Sequence, residues 1–191
     1  MSNSPLGAIL AGGAGRRMGG DKAMVEFAGR PLITHVATAL EAAGCEALAV
    51  GRASPVAAID AIPDDGGGQG PAVGLLTALR KAAGRPVVLV ATDQPLLRAT
   101  TISRLLELEG PAAVPIAGGT RQVLCAVYRE GCLDPLTELV DADPAPSLQT
   151  LLDDLPFRAV TETEWRSWGE DGRSWRSIDT PEQLAALDAA F

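Results

Sequence analysis

Five residues, Leu6 to Leu10, form an apolar run that stops abruptly at the stretch AGGAGRRMGGDK, Ala11 to Lys22. A short apolar run ending at glycines reads as a buried strand that delivers the chain into a loop. Helical spacing follows through Leu32, Ile33, Val36, Ala37 and Leu40, within Pro31 to Ala43, and Gly44 ends it. The unit is therefore strand, glycine-rich loop, helix. Such a unit belongs in an α/β layer structure and not in a helical bundle or a β-sandwich.

The same alternation continues along the chain. Cys45 to Gly51 reads as a strand and Ala57 to Ile62 as a short one. Gly70 to Gly84 reads as a helix with Pro71 in its first turn. Val87 to Ala91 is the most continuous apolar run, as expected of a parallel strand covered on both faces. Thr101 to Leu108 is helical. Strands are expected at Ala112 to Ile116, Val123 to Tyr128 and Phe157 to Thr161, and helices near Asp134 to Val140 and Ser147 to Leu155. Asp141 to Pro146 reads as an exposed loop, and Thr163 to Arg173 has no clear period. The last helix has Thr180 as its N-cap, Pro181 at its first position and Gln183 closing a capping box, preceded by a strand end. The expectation is one domain over residues 1–191, a mostly parallel twisted sheet with helices on both faces.

In open sheets of this kind, ligands bind beyond the carboxyl ends of the strands. That rule selects the glycines after Leu10 and the carboxylate of Asp93, two residues after Ala91. A loop that holds phosphate needs converging backbone N–H groups and no Cβ in the way, which Gly12, Gly13 and Gly15 offer. Two familiar templates fail here. G-x-G-x-x-G from Gly13 meets Met18 at its third glycine, and G-x-x-x-x-G-K-[ST] from Gly15 meets Asp21 after Gly20. Neither a dinucleotide dehydrogenase nor a P-loop ATPase is indicated. The chain carries a net charge of −8, which disfavours nucleic acid as a partner. Its first thirty residues nevertheless hold Arg16, Arg17, Lys22 and Arg30 against Asp21 and Glu26 alone, a local basic surplus beside the glycines.

Read alone, Asp93 fits two roles equally well: a carboxylate at the ligand-binding edge, or the N-cap of the next helix. Asp64, with Asp65 beside it and Gly66 beyond, fits a turn as well as a ligand contact. Asp179 lies two residues before Pro181 and also suits a turn. His35, the only histidine, reads as structural, and Trp165, Trp168 and Trp175 as cover for a core edge. Cys45, Cys125 and Cys132 are odd in number and lack metal-site spacing, so they read as reduced thiols of a cytoplasmic protein. No leader-like or membrane-spanning run is apparent in the sequence.

From Leu10 to Lys22 the sequence resembles L-A-G-G-x-S-x-R-M-G-x-D-K, the signature of the nucleotidyltransferases of the molybdenum cofactor guanylyltransferase family, with Gly15 for the usual serine. PDDGGGQGPAVG resembles the family's acidic residue followed by G-P-L-x-G, with Ala72 for leucine. VATDQPLL resembles its D-x-P strand end, and AVYR and SIDTPEQL its later landmarks. The resemblance implies a Rossmann-like, glycosyltransferase-A-like fold, with a nucleotide-binding half at about residues 1–97 and an acceptor-binding half at about 98–191. It further implies transfer of GMP from GTP to molybdenum-bound molybdopterin with Mg²⁺ as cofactor, and transient contact with other cofactor-synthesis proteins. In that scheme Leu10, Ala11, Gly12 and Gly13 approach the nucleotide through main chain, Arg17 and Lys22 neutralise the triphosphate, Asp64 contacts the nucleotide, and Asp93 holds the metal with Asp179 as a second carboxylate. Val123 after Gln122, and Pro144-Ala145-Pro146 before Ser147, depart from the family pattern on the acceptor side. A cytidylyltransferase of the same fold and a non-catalytic nucleotide-binding module are the alternative expectations.

Overall fold

The structure is a computed structural model that describes residues 3–12, 21–65, 70–143 and 145–188. Along the chain run β1 (Leu6–Leu10), the two-residue strands β2 (Glu26–Phe27) and β3 (Arg30–Pro31), α1 (Leu32–Ala42), β4 (Glu46–Val50), β5 (Ala61–Ile62), α2 (Pro71–Ala82), β6 (Val87–Ala91) and α3 (Ala99–Leu106). There follow β7 (Ala112–Ala117), β8 (Thr120–Arg121), β9 (Cys125–Tyr128), α4 (Leu133–Ala142), α5 (Leu148–Asp154), β10 (Arg158–Val160), α6 (Glu162–Ser167) and α7 (Pro181–Asp188).

The main sheet has the order β10-β7-β9-β6-β1-β4-β5, with β8 paired to β7. β1 lies parallel between β6 and β4, and β5 extends the parallel half. β9 is an antiparallel member of this mostly parallel sheet, running against both β6 and β7. The chain between β7 and β9 holds only β8 and its turns, too short for the crossover that a parallel return needs. Beyond β9, β10 pairs parallel with β7.

Alternation within the strands sorts side chains onto two faces. In β6, Val87 and Leu89 pack with Leu75 and Leu79 of α2, Leu136 of α4 and Leu151 of α5. Val88 and Val90 face the other way, onto Val36 and Leu40 of α1, Ile102 of α3 and Trp165 of α6. An uninterrupted apolar run is thus a strand with two buried faces, each large side chain contributing roughly 1.5–3 kcal/mol. A third, smaller cluster of Phe27, Leu32 and Ile178 ties the β2–β3 hairpin to the segment before α7.

Several expectations change at the element level. The short strand expected from Ala57 is mostly a turn, because Ala57 and Ala58 take positive φ (49° and 63°) between the bridged Val56 and Ile59, and only Ala61–Ile62 pair with β4. α6 occupies the stretch expected to lack regular structure; Thr161 caps it by accepting from the Glu164 N–H. α4 runs on to Ala142, into the expected loop, whose Pro144 lies outside the described residues. The residues directly before α7 form no strand; there the Ile178 N–H donates to the Asp93 carbonyl at 2.9 Å. Thr180 accepts from the Gln183 N–H as a cap, but Gln183 reaches past it to the Asp179 N–H at 2.7 Å. Among the described residues no helix is long and apolar enough to cross a membrane.

Candidate active site

β1 and β6 run side by side in parallel register, Leu10 opposite Ala91, so the residues that follow each strand emerge at one edge. The connection is reinforced there: Thr92 Oγ1 donates to the Leu10 carbonyl at 2.6 Å, and the Gln94 side chain accepts from the Ala91 N–H at 3.0 Å. α3 starts only at Ala99, with Arg98 in the cap position and no side-chain cap. Asp93 is therefore not a helix cap, and its carboxylate is left for another task.

That carboxylate meets Lys22, whose Nζ donates to Asp93 Oδ2 at 2.6 Å and to Asp179 Oδ1 at 2.9 Å. Three distant parts of the sequence converge here. Lys22 opens a 3₁₀ turn, Lys22–Met24, capped by Asp21 through the Ala23 N–H at 3.1 Å. Asp179 is oriented by the Gln183 side chain at its N–H and by Ser177 Oγ, which donates to Oδ2 at 3.1 Å. The Lys22 and Asp93 side chains are 21% and 19% exposed and that of Asp179 is 49% exposed, so the cluster is open to solvent on the Asp179 side. Burial pulls the Lys22 ammonium down, but the hydrogen bonds to Asp93 and Asp179 outweigh it and leave the pKa above the ordinary 10.5. Lys22 is cationic throughout the neutral range.

Next to this cluster lies an open cleft of about 410 Å³, lined by Ala11, Gly12, Asp21, Gly51, Arg52, Ala53 and Ser54. Its floor depends on two glycines. A Cβ on Gly12 would fall 2.9 Å from the Gly51 carbonyl oxygen, and one on Gly51, whose φ is +89°, would fall 2.9 Å from Gly12 Cα. The ends of β1 and β4 can approach this closely only without side chains. Arg52 was not singled out by sequence reasoning, since a lone arginine after a strand carries no signal. Its Nη1 lies 2.8 Å from both carboxylate oxygens of Asp21, joining the end of β4 to the turn that bears Lys22.

Asp64 and Asp65 separate cleanly. Asp65 turns to α2: its N–H donates to Thr77 Oγ1 at 2.9 Å and its carboxylate lies 3.6 Å from Arg80. Asp64 turns toward Gly51 and Gly74, and its Oδ1 is buried without a hydrogen-bond partner among the described residues. Burial first, and the Asp65 charge second, push its carboxyl above the ordinary 3.8. A buried acceptor of this kind costs about 1–3 kcal/mol if left unmatched, so it suits a donor brought by a ligand. Gly13, Gly15 and Arg17 lie outside the described residues.

No group of three or more histidines, cysteines or carboxylates able to hold a metal occurs among the described residues. Asp93 and Asp179 instead form a pair aimed at one positive charge, and a carboxylate pair completed by phosphate oxygens is the donor set that suits Mg²⁺. The remaining candidates are structural. His35 Nε2 donates to the Phe27 carbonyl at 2.8 Å and its Nδ1 faces Arg30 Nη2 at 3.3 Å, which puts the hydrogen on Nε2 and leaves Nδ1 as the acceptor. Trp165 is buried, donates to the Ile116 carbonyl at 2.9 Å and packs edge-on against Trp175. All three cysteines are free and buried, with burial raising the thiols of Cys45 and Cys132 to about 11.

Residues 7–160 match the protein family described as the MobA-like NTP transferase domain. Molybdenum cofactor guanylyltransferase of Pseudomonas putida is 36% identical over 92% of this chain and 93% of its own length. The enzyme of the same name from Cereibacter sphaeroides is 33% identical over 96% and 95%. In fold, the chain is similar to the crystal structure of molybdopterin-guanine dinucleotide biosynthesis protein A from Archaeoglobus fulgidus, with a TM-score of 0.82 and 24% identity over 96% of this chain and 97% of that one.

Proposed function

Because the chain belongs to the MobA-like NTP transferase domain family, we propose that it transfers GMP from GTP to molybdenum-bound molybdopterin in the cytoplasm, releasing pyrophosphate. The observation that carries this reading is the meeting of Lys22, Asp93 and Asp179 beside the cleft floored by Gly12 and Gly51. Names borne by relatives over nearly the whole chain support guanine and the molybdenum cofactor as substrates.

In this reaction an oxygen of the acceptor's terminal phosphate attacks the α-phosphorus of GTP. A new P–O bond forms, the bond from the α-phosphorus to the bridging oxygen breaks, and its electron pair leaves on pyrophosphate. Both reactants are anionic, so the protein's task is to align them and to offset charge on the phosphoryl oxygens. By the family signature, Leu10, Ala11, Gly12 and Gly13 contact the nucleotide through main chain. Asp64 offers its buried oxygen to a nucleotide donor, and Lys22 and Arg17 offset the triphosphate charge. Asp93 and Asp179 would hold Mg²⁺, which would supply Lewis-acid neutralisation of the transferring phosphoryl group. Residues from about 98 onward bind the acceptor.

The test is pyrophosphate release from the protein incubated with Mg²⁺, molybdenum cofactor and each of the four nucleoside triphosphates. Release with GTP alone is expected. Release with CTP in its place would make the chain a cytidylyltransferase, and none with any triphosphate would leave a nucleotide-binding module.

A further inference from the structure

Glu170 is 3% exposed and lies outside the cleft and the Lys22 cluster, yet its carboxylate accepts five hydrogen bonds. Its Oε2 accepts from Thr101 Oγ1 and Ser174 Oγ, each at 2.5 Å. Oε1 accepts from the N–H groups of Asp171 at 2.9 Å, Gly172 at 2.8 Å and Ser174 at 3.4 Å. Carboxylates are rarely buried to this extent, and five donors are what makes the burial tolerable. The partners are local except Thr101, which stands on α3 and is itself 1% exposed. Arg98, just before α3, adds a parallel tie: its N–H donates to Ser174 Oγ at 3.1 Å and its guanidinium to the Gly169 carbonyl and Asp171.

These bonds pin residues 169–175 to the start of α3, the helix that follows the Asp93 loop. The chain then has four residues in which to reach Asp179. Just before it, Ile178 is buried against Phe27 and Leu32 and donates its N–H to the Asp93 carbonyl at 2.9 Å. The segment bearing Asp179 is therefore held at one end by Glu170 and at the other by the Asp93 loop itself. We propose that Glu170 is a positioning residue of the active site: it anchors the strap of residues 170–179 so that the Asp179 carboxylate meets Lys22 and Asp93. The link to nucleotidyl transfer rests on the function proposed above, whereas the positioning does not.

Lys22 and Lys81 are the chain's two lysines, and Lys81 is exposed at the end of α2, so acetylation read by mass spectrometry reports Lys22 with an internal reference. The protein without nucleotide is labelled as wild type, Glu170→Gln, Asp179→Asn and the double variant. Glutamine keeps the shape and an oxygen for the backbone N–H groups, and should Glu170→Gln fail to fold, Ser174→Ala removes the hydroxyl bond to Glu170 together with the one accepted from the Arg98 N–H. Glu170→Gln is expected to speed Lys22 labelling about as much as Asp179→Asn does, with Lys81 unchanged and the double variant no faster than Asp179→Asn alone. Rates that multiply in the double variant, or a Glu170→Gln protein that labels Lys22 as wild type does, overturn the proposal. So does an Asp179→Asn protein whose Lys22 stays as protected as in wild type. In pyrophosphate release, Glu170→Gln should raise the Mg²⁺ concentration for half-maximal rate by about tenfold, the scale of a lost outer-shell partner, and less when Asp179→Asn is already present. A wild-type protein inactive with every triphosphate would remove the proposed function while the labelling comparison still decides the role of Glu170.

Discussion

Lys22 and Asp93 stand 71 positions apart in sequence and 2.6 Å apart in space, and what either does depends on that meeting. Asp93→Ala is expected to lower kcat by on the order of 10³-fold, the loss typical of a group acting on transition-state charge, while thermal melting stays close to wild type. A retained rate would remove Asp93 from the reaction. Lys22→Ala leaves two carboxylates facing each other without their cation, so Mg²⁺ should raise the melting temperature of this variant more than that of wild type. Equal shifts would mean that the pair does not bind the metal. The pH dependence follows from the raised Lys22 pKa. A folded-state value above the unfolded one gives a stabilising contribution fully present below 10.5 and lost as pH rises through the higher folded value, so no alkaline loss from Lys22 should appear in rate or stability below that pH.

At the level of elements, the cleft depends on how closely the ends of β1 and β4 approach. Gly51→Ala puts a Cβ against Gly12 Cα and also forces alanine to a φ of +89°. It should cost about 2–4 kcal/mol by denaturant unfolding, strain and displaced backbone together. Gly74→Ala is the contrasting case. Its Cβ would lie 2.5 Å from Leu10 Cδ2, the far end of a side chain that can rotate, so the loss should be smaller. The reverse order would show that the Gly12–Gly51 contact is not what shapes this edge. Strands with two buried faces and long amphipathic helices were legible in the sequence, because their period is set by the face they bury. α6 was not legible, since in six residues only Trp165 reaches the core and no period can develop. Ala57 and Ala58 gave no turn signal because positive φ is ordinarily the province of glycine or asparagine.

Across the whole molecule, Cys45, Cys125 and Cys132 are buried in different parts of the two-sided core, before β4, within β9 and before α4. They should be inert to an aromatic disulfide reagent at neutral pH and become reactive together as denaturant unfolds the protein. One thiol reacting well ahead of the others would reveal a part that opens independently. By itself the sequence determined the α/β class and the strand-end placement of Gly12 and Asp93, and the resemblance of Leu10 to Lys22 to a family signature pointed to the nucleotidyltransferases, because backbone periodicity and a contiguous motif are both local patterns. Only the tertiary structure decided that Asp93 faces Lys22 instead of capping a helix, that Asp64 and not Asp65 turns toward the glycines, that Arg52 clasps Asp21, and that Glu170 anchors the strap carrying Asp179. Each of these is a contact between residues tens of positions apart, or depends on one. No local pattern encodes such contacts; they come from the strand order and from the distance at which the packed layers hold the loops.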